Sequence, residues 1–238
     1  MSDTMTIYII ARIRSDFGTK FGIPRQSGLV DSLTARVVFE PEYRNLDAIR
    51  GLEGFSHLWL IWQFSKCVGR AWSPTVRPPK LGGNKRMGVF ATRSPFRPNA
   101  IGLSSVRLER IETDPVLGPV LHVRGADLMD GTPILDIKPY LPYTDSHSDA
   151  RGGFAPGPQI FLKVRATPGV LAPIPPDRRQ ALIDTLAQDP RPGYQHEPGR
   201  IYGLLFAGYD VRFTVEDGVL TVCEVCPAQS SSLGKKNP

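Results

Sequence analysis

The chain has 238 residues, 41% of them hydrophobic, and carries a net charge of +6. That length suits one large domain or one domain with a small appendage. The apolar fraction excludes a disordered chain, and no run approaches the roughly 18 apolar residues that a membrane-spanning helix requires. The opening Met1-Ser2-Asp3-Thr4 lacks the basic and apolar regions of a signal peptide, which leads us to expect a cytoplasmic protein.

Ile7, Ile9, Ala11 and Ile13 alternate with Tyr8, Arg12 and Arg14, so a first strand is expected there. Phe17–Gly28 reads as a loop, Ala35–Phe39 as a second strand and Leu46–Leu52 as a short helical turn. His57–Phe64, dense in aromatic and β-branched residues, reads as a buried strand in which His57 is a core histidine. From Ser73 to Asn84, Pro74, Pro78 and Pro79 withdraw backbone donors, which excludes a helix or central strand. Met87–Ala91, Ile101–Glu109, Val120–Gly125 and Ile134–Lys138 are further strands, with a tight turn at Asp130-Gly131-Thr132-Pro133 before the last of them. Short strands with almost no helix between them predict a mainly β fold, an antiparallel β-barrel or sandwich.

Asp145–Gln159 is rich in Ser, Gly, Asp and Pro and reads as a linker. Beyond it, Arg178–Gln188 predicts a helix with Leu182, Ile183 and Leu186 on one face, Asp177 as N-cap and Pro190 as stop. Ile201–Phe206, Val211–Val215 and Val219–Val222 are strands, and Asp217-Gly218 is a hairpin signal. This predicts a small α+β C-terminal module over 160–228, followed by a frayed tail over 229–238.

Cys67, Cys223 and Cys226 offer no second cluster to complete a four-ligand zinc site, so no metal is expected and the thiols are read as reduced and incidental. There is no Gly-x-Gly-x-x-Gly fingerprint, no P-loop, no Gly-x-Ser-x-Gly elbow and no His-Glu-x-x-His pair. Charge is distributed unevenly. Between Gly54 and Leu108 there is no Asp or Glu, whereas Lys66, Arg70, Arg77, Lys80, Lys85, Arg86, Arg93, Arg97 and Arg107 all fall there. Such a stretch favours a polyanion partner through counterion release. Trp59, Trp62, Phe64, Trp72, Phe90 and Phe96 are interleaved with it, and one or two of them are free to stack on bases.

Five polar segments carry the remaining signal: Ile23–Gly28, Glu53–Lys66, Gly88–Ser104, Asp127–Tyr140 and Asp189–Tyr194. Together they resemble the TsaA-like family, whose characterised members are tRNA N6-threonylcarbamoyladenosine methyltransferases of the TrmO type. The resemblance spans nearly the whole chain, with 6–145 as the β-barrel domain. It implies S-adenosylmethionine bound in a barrel instead of a Rossmann sheet, tRNA as partner, and a homodimer.

By that resemblance Pro24, Gln26, Ser65, Lys66 and Leu103 line the cofactor pocket, while the turn of Leu128, Met129, Asp130 and Gly131 offers backbone groups for the adenine, with Gly131 permitting close approach. The family often has a His-Gln-like pair where this chain has Ser65-Lys66. Arg25 and Arg93 suit the methionine carboxylate, because guanidinium binds carboxylate bidentately, or else form ion pairs within the barrel. Asp130 either takes a ribose hydroxyl or the cofactor's amino group, or caps its turn. The acceptor nitrogen is conjugated and weakly nucleophilic, so a base is expected. Asp189, Tyr194, Asp136, Lys138 and Tyr140 are the candidates, with Arg191 a candidate for the threonyl carboxylate of the modified base. Two other readings remain: an RNA-binding barrel without chemistry, and a methyltransferase acting on a small molecule or protein.

Overall fold

The computed structural model describes residues 4–78, 81, 84–155, 161–167, 169–191, 197 and 199–228. The expected tail, Lys80 and Tyr194 lie outside the described residues. Six antiparallel strands close into a barrel: β1 (Ala11–Arg14), β2 (Thr34–Phe39), β3 (His57–Gln63), β6 (Ile101–Asp114), β7 (Gly118–Arg124) and β8 (Pro133–Pro139), in the order β1-β2-β7-β6-β3-β8. The pairing of Ala11 with Ile134 closes the ring. Alternation along each strand sends Ala11, Ile13, Val37, Leu58, Leu60, Val106, Leu121, Val123 and Ile134 inward, where they form one core.

Departures from the expected elements have local causes. The first strand begins at Ala11 instead of Ile7, because its partner turns away at Pro41, the start of a short 3-10 turn. Only Met87–Gly88 (β5) is extended, paired with Thr75–Val76 (β4), and Val89–Ala91 coils instead. Val89 N–H already donates to the carbonyl of Pro74, and Pro74 has no N–H with which to continue the ladder. His57 is not a core residue. It sits at the exposed start of β3, with Nδ1 2.9 Å from the Ser56 hydroxyl and its ring tilted against Tyr140.

The C-terminal half, reached through a short helix α1 (Pro142–Asp145), builds a second sheet in the order β10-β11-β12-β9. Here β9 (Lys163–Arg165) runs parallel to β12 (Val219–Pro227), while β10 (Tyr202–Phe206) and β11 (Tyr209–Glu216) are antiparallel neighbours. Asp217 and Gly218, both left-handed, make the two-residue β11–β12 hairpin. Helix α2 (Pro176–Ala187) covers the sheet with Ala181, Leu182, Thr185 and Leu186 buried. Its N-cap is Pro175, not Asp177. Pro176 takes the first helical position, where a missing N–H costs nothing, and Asp177 sits in the first turn beside Arg178.

The two halves are sewn together by the long β1–β2 loop. Phe17, Val30 and Leu33 from that loop are buried in the second core, with Phe17 edge-on to Phe206 at 5.6 Å. Arg178 of α2 bonds Asp16 at 3.1 Å, and Ser32 bonds Asp184. Burial raises the Asp16 carboxyl above its ordinary value, and the Arg178 charge opposes that. Truncating Phe17 to Ala should cost about 3–5 kcal/mol of second-core stability. Trp59, Trp62 and Trp72 all belong to the barrel half, so tryptophan fluorescence should keep its urea midpoint while the circular-dichroism midpoint falls. A coincident fall in both would show instead that the two cores unfold as one unit.

Candidate active site

A cleft of about 480 Å³ opens at one end of the barrel, against the β1–β2 loop. This is within the usual size range of small-ligand sites, roughly 300–1,000 Å³. Three segments form its walls. Lys20, Ile23, Pro24, Arg25 and Gln26 come from the β1–β2 loop; Trp62 to Cys67 span the end of β3 and the turn after it; Thr92, Arg93, Pro95 and Arg97 lead into β6. Leu103 stands at the rim, and Asp127, Leu128, Met129 and Thr132 close the remaining side.

Nine of the eleven residues expected at the cofactor therefore line one cleft: Pro24, Arg25, Gln26, Ser65, Lys66, Arg93, Leu103, Leu128 and Met129. Asp130 and Gly131 are not in its wall. They occupy the middle of a turn in which Thr132 N–H donates to the carbonyl of Met129, with Gly131 at φ 74°. The Asp130 carboxylate accepts from Ser15 N–H at 3.1 Å and lies 3.8 Å from Arg14. Its role in the structure is to tie that turn to the end of β1.

The cleft also holds residues that the sequence reading passed over. Trp62 is 8% exposed and its Nε1–H donates to Ser104 Oγ at 2.9 Å; Ser104 Oγ–H donates to Asp127 Oδ1 at 2.5 Å. Desolvation by burial pushes the Asp127 carboxyl above its ordinary value, against the lowering effects of the Ser104 hydrogen bond and the Arg93 charge. Among the described residues Asp127 is the one acidic residue of the lining, which it shares with Lys20, Arg25, Lys66, Arg93 and Arg97. Gly102 keeps this network in place, since a Cβ there would come within 2.4 Å of the Trp62 ring. A carboxyl-bearing turn beside an Ala-Asp-Leu-Met run carries no visible sign of burial, which is why only the fold discloses Asp127.

The candidate base residues separate into two places. Asp136 and Lys138 form an ion pair of 3.0 Å on the outer face of β8. Register places Asp136 opposite Ile61 and Ile61 opposite Leu103, so Asp136 is two strands from the cleft rim. At the usual strand spacing this is roughly 10 Å. Asp189 and Arg191 stand at the end of α2, where Arg191 grips both carboxylate oxygens of Asp189 at 2.8 and 2.9 Å. Burial tends to raise the Asp189 carboxyl. The hydrogen bonds and charge of Arg191, with the charge of Arg25, outweigh it and hold the group below the ordinary carboxylate range. Arg191 is thus paired with Asp189, and it is 9% exposed. The pair reaches the cleft through Arg25, not by lining it.

Cys223 is exposed on β12 and Cys226 is half-buried, its Sγ 3.9 Å from the Asp210 carbonyl. Among the described residues there is no group of three His, Cys, Asp or Glu able to hold a metal ion. No helix among them is long and apolar enough to cross a membrane.

Comparison with known proteins agrees with this geometry. Residues 12–146 match the tRNA-methyltransferase O N-terminal domain and 168–228 the TrmO C-terminal domain. The tRNA (adenine(37)-N6)-methyltransferase of Escherichia coli strain K12 is 43% identical over 229 residues, covering 92% of this chain and 96% of that protein. A shorter relative from Methanothermobacter thermautotrophicus, a probable S-adenosyl-L-methionine-binding protein, is 39% identical over 147 residues, 61% of this chain and 98% of its own. The crystal structure of TrmO from P. aeruginosa superposes with a TM-score of 0.78 at 36% identity, covering 96% of this chain and 99% of that one. With both domain matches and these overlaps spanning almost its full length, the chain belongs to the TrmO family of tRNA methyltransferases.

Proposed function

We propose that this chain transfers a methyl group from S-adenosylmethionine to N6 of adenosine 37 in tRNA, the acceptor being N6-threonylcarbamoyladenosine. The observation that carries the cofactor reading is the charge layout of the cleft. One part-buried carboxylate, Asp127, shares the cleft lining with five cations, Lys20, Arg25, Lys66, Arg93 and Arg97. S-adenosylmethionine presents a sulfonium and an ammonium, which Asp127 suits, and a carboxylate, which Arg25 or Arg93 suits bidentately. Ile23, Phe64 and Met129 supply apolar surface for its adenine. The M. thermautotrophicus relative is little longer than the barrel half, which supports placing the cofactor there.

When bound, the cofactor supplies an electrophilic methyl on sulfur. The protein's own contribution is to orient the donor and acceptor and to exclude water, which converts an encounter between two molecules into a positioned one. Gln26 is well placed to organise the donor side, since Arg93 donates to its Oε1 while its Nε2 donates to the Arg25 carbonyl. The acceptor side falls to the outer rim, where Leu103, Asp136 and Lys138 share a face, and to the C-terminal module with Asp189, Arg191 and Tyr194. We take the working enzyme to be a homodimer, as the family resemblance implies, and, as a tRNA-modifying enzyme, to act in the cytoplasm.

The test is transfer of tritiated methyl from the cofactor into total tRNA prepared with and without the threonylcarbamoyl group, followed by nucleoside analysis. Incorporation should appear only in tRNA that carries the group, and Arg93→Ala should raise the cofactor Kd about tenfold or more. Equal incorporation into both tRNAs would remove the threonylcarbamoyl requirement. No incorporation into either, with a small molecule or protein labelled instead, would refute the tRNA reading itself.

A further inference from the structure

The described residues of 64–100, between β3 and β6, lie outside the barrel strands. The inner side of this excursion is the cleft wall. The same excursion exposes three large aromatic residues, Trp72 at 51%, Phe90 at 73% and Phe96 at 40%. Ser73 N–H reaches the Phe96 carbonyl at 3.4 Å, which brings the chain at Trp72 alongside that at Phe96. The Arg97 guanidinium lies 5.9 Å from the Phe90 ring centroid while donating to the Thr92 carbonyl at 2.8 Å. Arg97 also lines the cleft, so the aromatic patch and the cleft share a wall.

Aromatic area left in water is unfavourable, so an exposed group of this kind marks a contact surface. Charge decides what the contact is. Every ion pair among the described residues lies outside 54–108. Arg70, Arg77, Lys85 and Arg86, which are exposed around the patch, meet no carboxylate within ion-pair distance among those residues. A two-fold contact between copies of this chain through the patch would set these cations against their own images. Single-stranded nucleic acid neutralises them with phosphates and offers each ring the face of a base.

We infer that Phe90, with Trp72 and Phe96, is a stacking platform for the bases that flank the target adenosine, holding the RNA loop open while the target enters the cleft. The inference rests on the proposed function in taking RNA as the substrate. Bases in a loop are readily splayed and stacked on aromatic side chains, whereas a base paired in a helix has no free face to offer. Arg97 stiffens the platform from behind and couples it to the cleft wall.

The test compares Phe90→Leu, Trp72→Leu and the rescue variant Phe90→Tyr with the parent protein. Its readouts are tRNA KM and kcat, cofactor Kd, sedimentation velocity, and the emission of 2-aminopurine placed next to the target in an anticodon stem-loop. Phe90→Leu should raise the tRNA KM about tenfold, within the range of one lost base stack, with cofactor Kd unchanged. The 2-aminopurine emission should be quenched by the parent and by Phe90→Tyr, and not by Phe90→Leu. Parental KM and quenching in a Phe90→Leu/Trp72→Leu double variant of an enzyme that methylates tRNA would overturn the platform and leave the proposed function standing. A dimer-to-monomer shift in that double variant, with quenching retained, would also overturn it by giving the face to a second copy of the chain. Failure of the parent to methylate any tRNA would refute the function instead, and quenching that depends on Phe90 would still support the platform.

Discussion

Asp127→Asn should lower cofactor affinity by about ten- to a hundredfold while leaving the fold as stable as the parent or more so. Asn retains an oxygen to accept the Ser104 hydroxyl, so the chain from Trp62 through Ser104 is preserved. What disappears is the charge, and a hydrogen bond to a charged partner is worth about 1.5–3 kcal/mol. The pH dependence gives the sign. Burial raises the folded pKa of Asp127 above its unfolded value. The destabilising contribution of its ionised form is therefore absent below the unfolded pKa, about 3.9, and fully present above the raised folded pKa. Parent stability relative to Asp127→Asn should fall as pH rises through that window. Cofactor affinity in the parent should fall as pH drops through the raised pKa and be flat across it in the variant. Melting temperatures and calorimetric Kd values across that window check both statements. Parental affinity in Asp127→Asn at neutral pH would mean that the cation is held elsewhere.

Asp189→Asn should depress methyl transfer by roughly 10- to 100-fold through kcat, with cofactor Kd unchanged and stability lowered. The carboxylate is gripped on both oxygens by Arg191 and held below the ordinary range, which makes it a weak proton acceptor. Its work is to position Arg191. Replacing it with Asn tolerates the left-handed backbone at φ 51° better than most residues would. It nevertheless leaves a largely buried guanidinium without its counter-charge, and removing one partner of such a pair costs up to about 3–5 kcal/mol. Because Asp189 stabilises the fold in its ionised form, that contribution is present above about pH 3.9 and is lost as pH falls through the lower folded pKa. The kcat–pH profile of Asp189→Asn should keep the shape of the parent profile at reduced height. Loss of the acidic limb would instead identify Asp189 as the base, and Arg191→Ala with parental kcat would remove the positioning role.

The mainly β character, the positions of most strands, the Asp217-Gly218 hairpin and the acid-free basic stretch were all legible in the residues alone. These are properties of local pattern: alternation of period two, turn residues that accept positive φ, and a count of charges along the chain. The family motifs located nine residues of the cleft wall on the same one-dimensional basis. What required the tertiary structure is whatever depends on which distant segments meet. Asp130 and Asp127 are three residues apart in one motif, yet one ties a turn to Ser15 while the other is part-buried against Ser104. That Arg191 pairs with Asp189 across a left-handed backbone at Asp189 is likewise visible only in the fold. Phe17 read as a loop residue and proved to be core of the second module, because burial is set by what packs over a residue and not by its neighbours in sequence. Local pattern determines the elements; desolvation and charge pairing, which set the chemistry of the cleft, are decided only when the barrel closes and the loop between β1 and β2 is pinned against the second sheet.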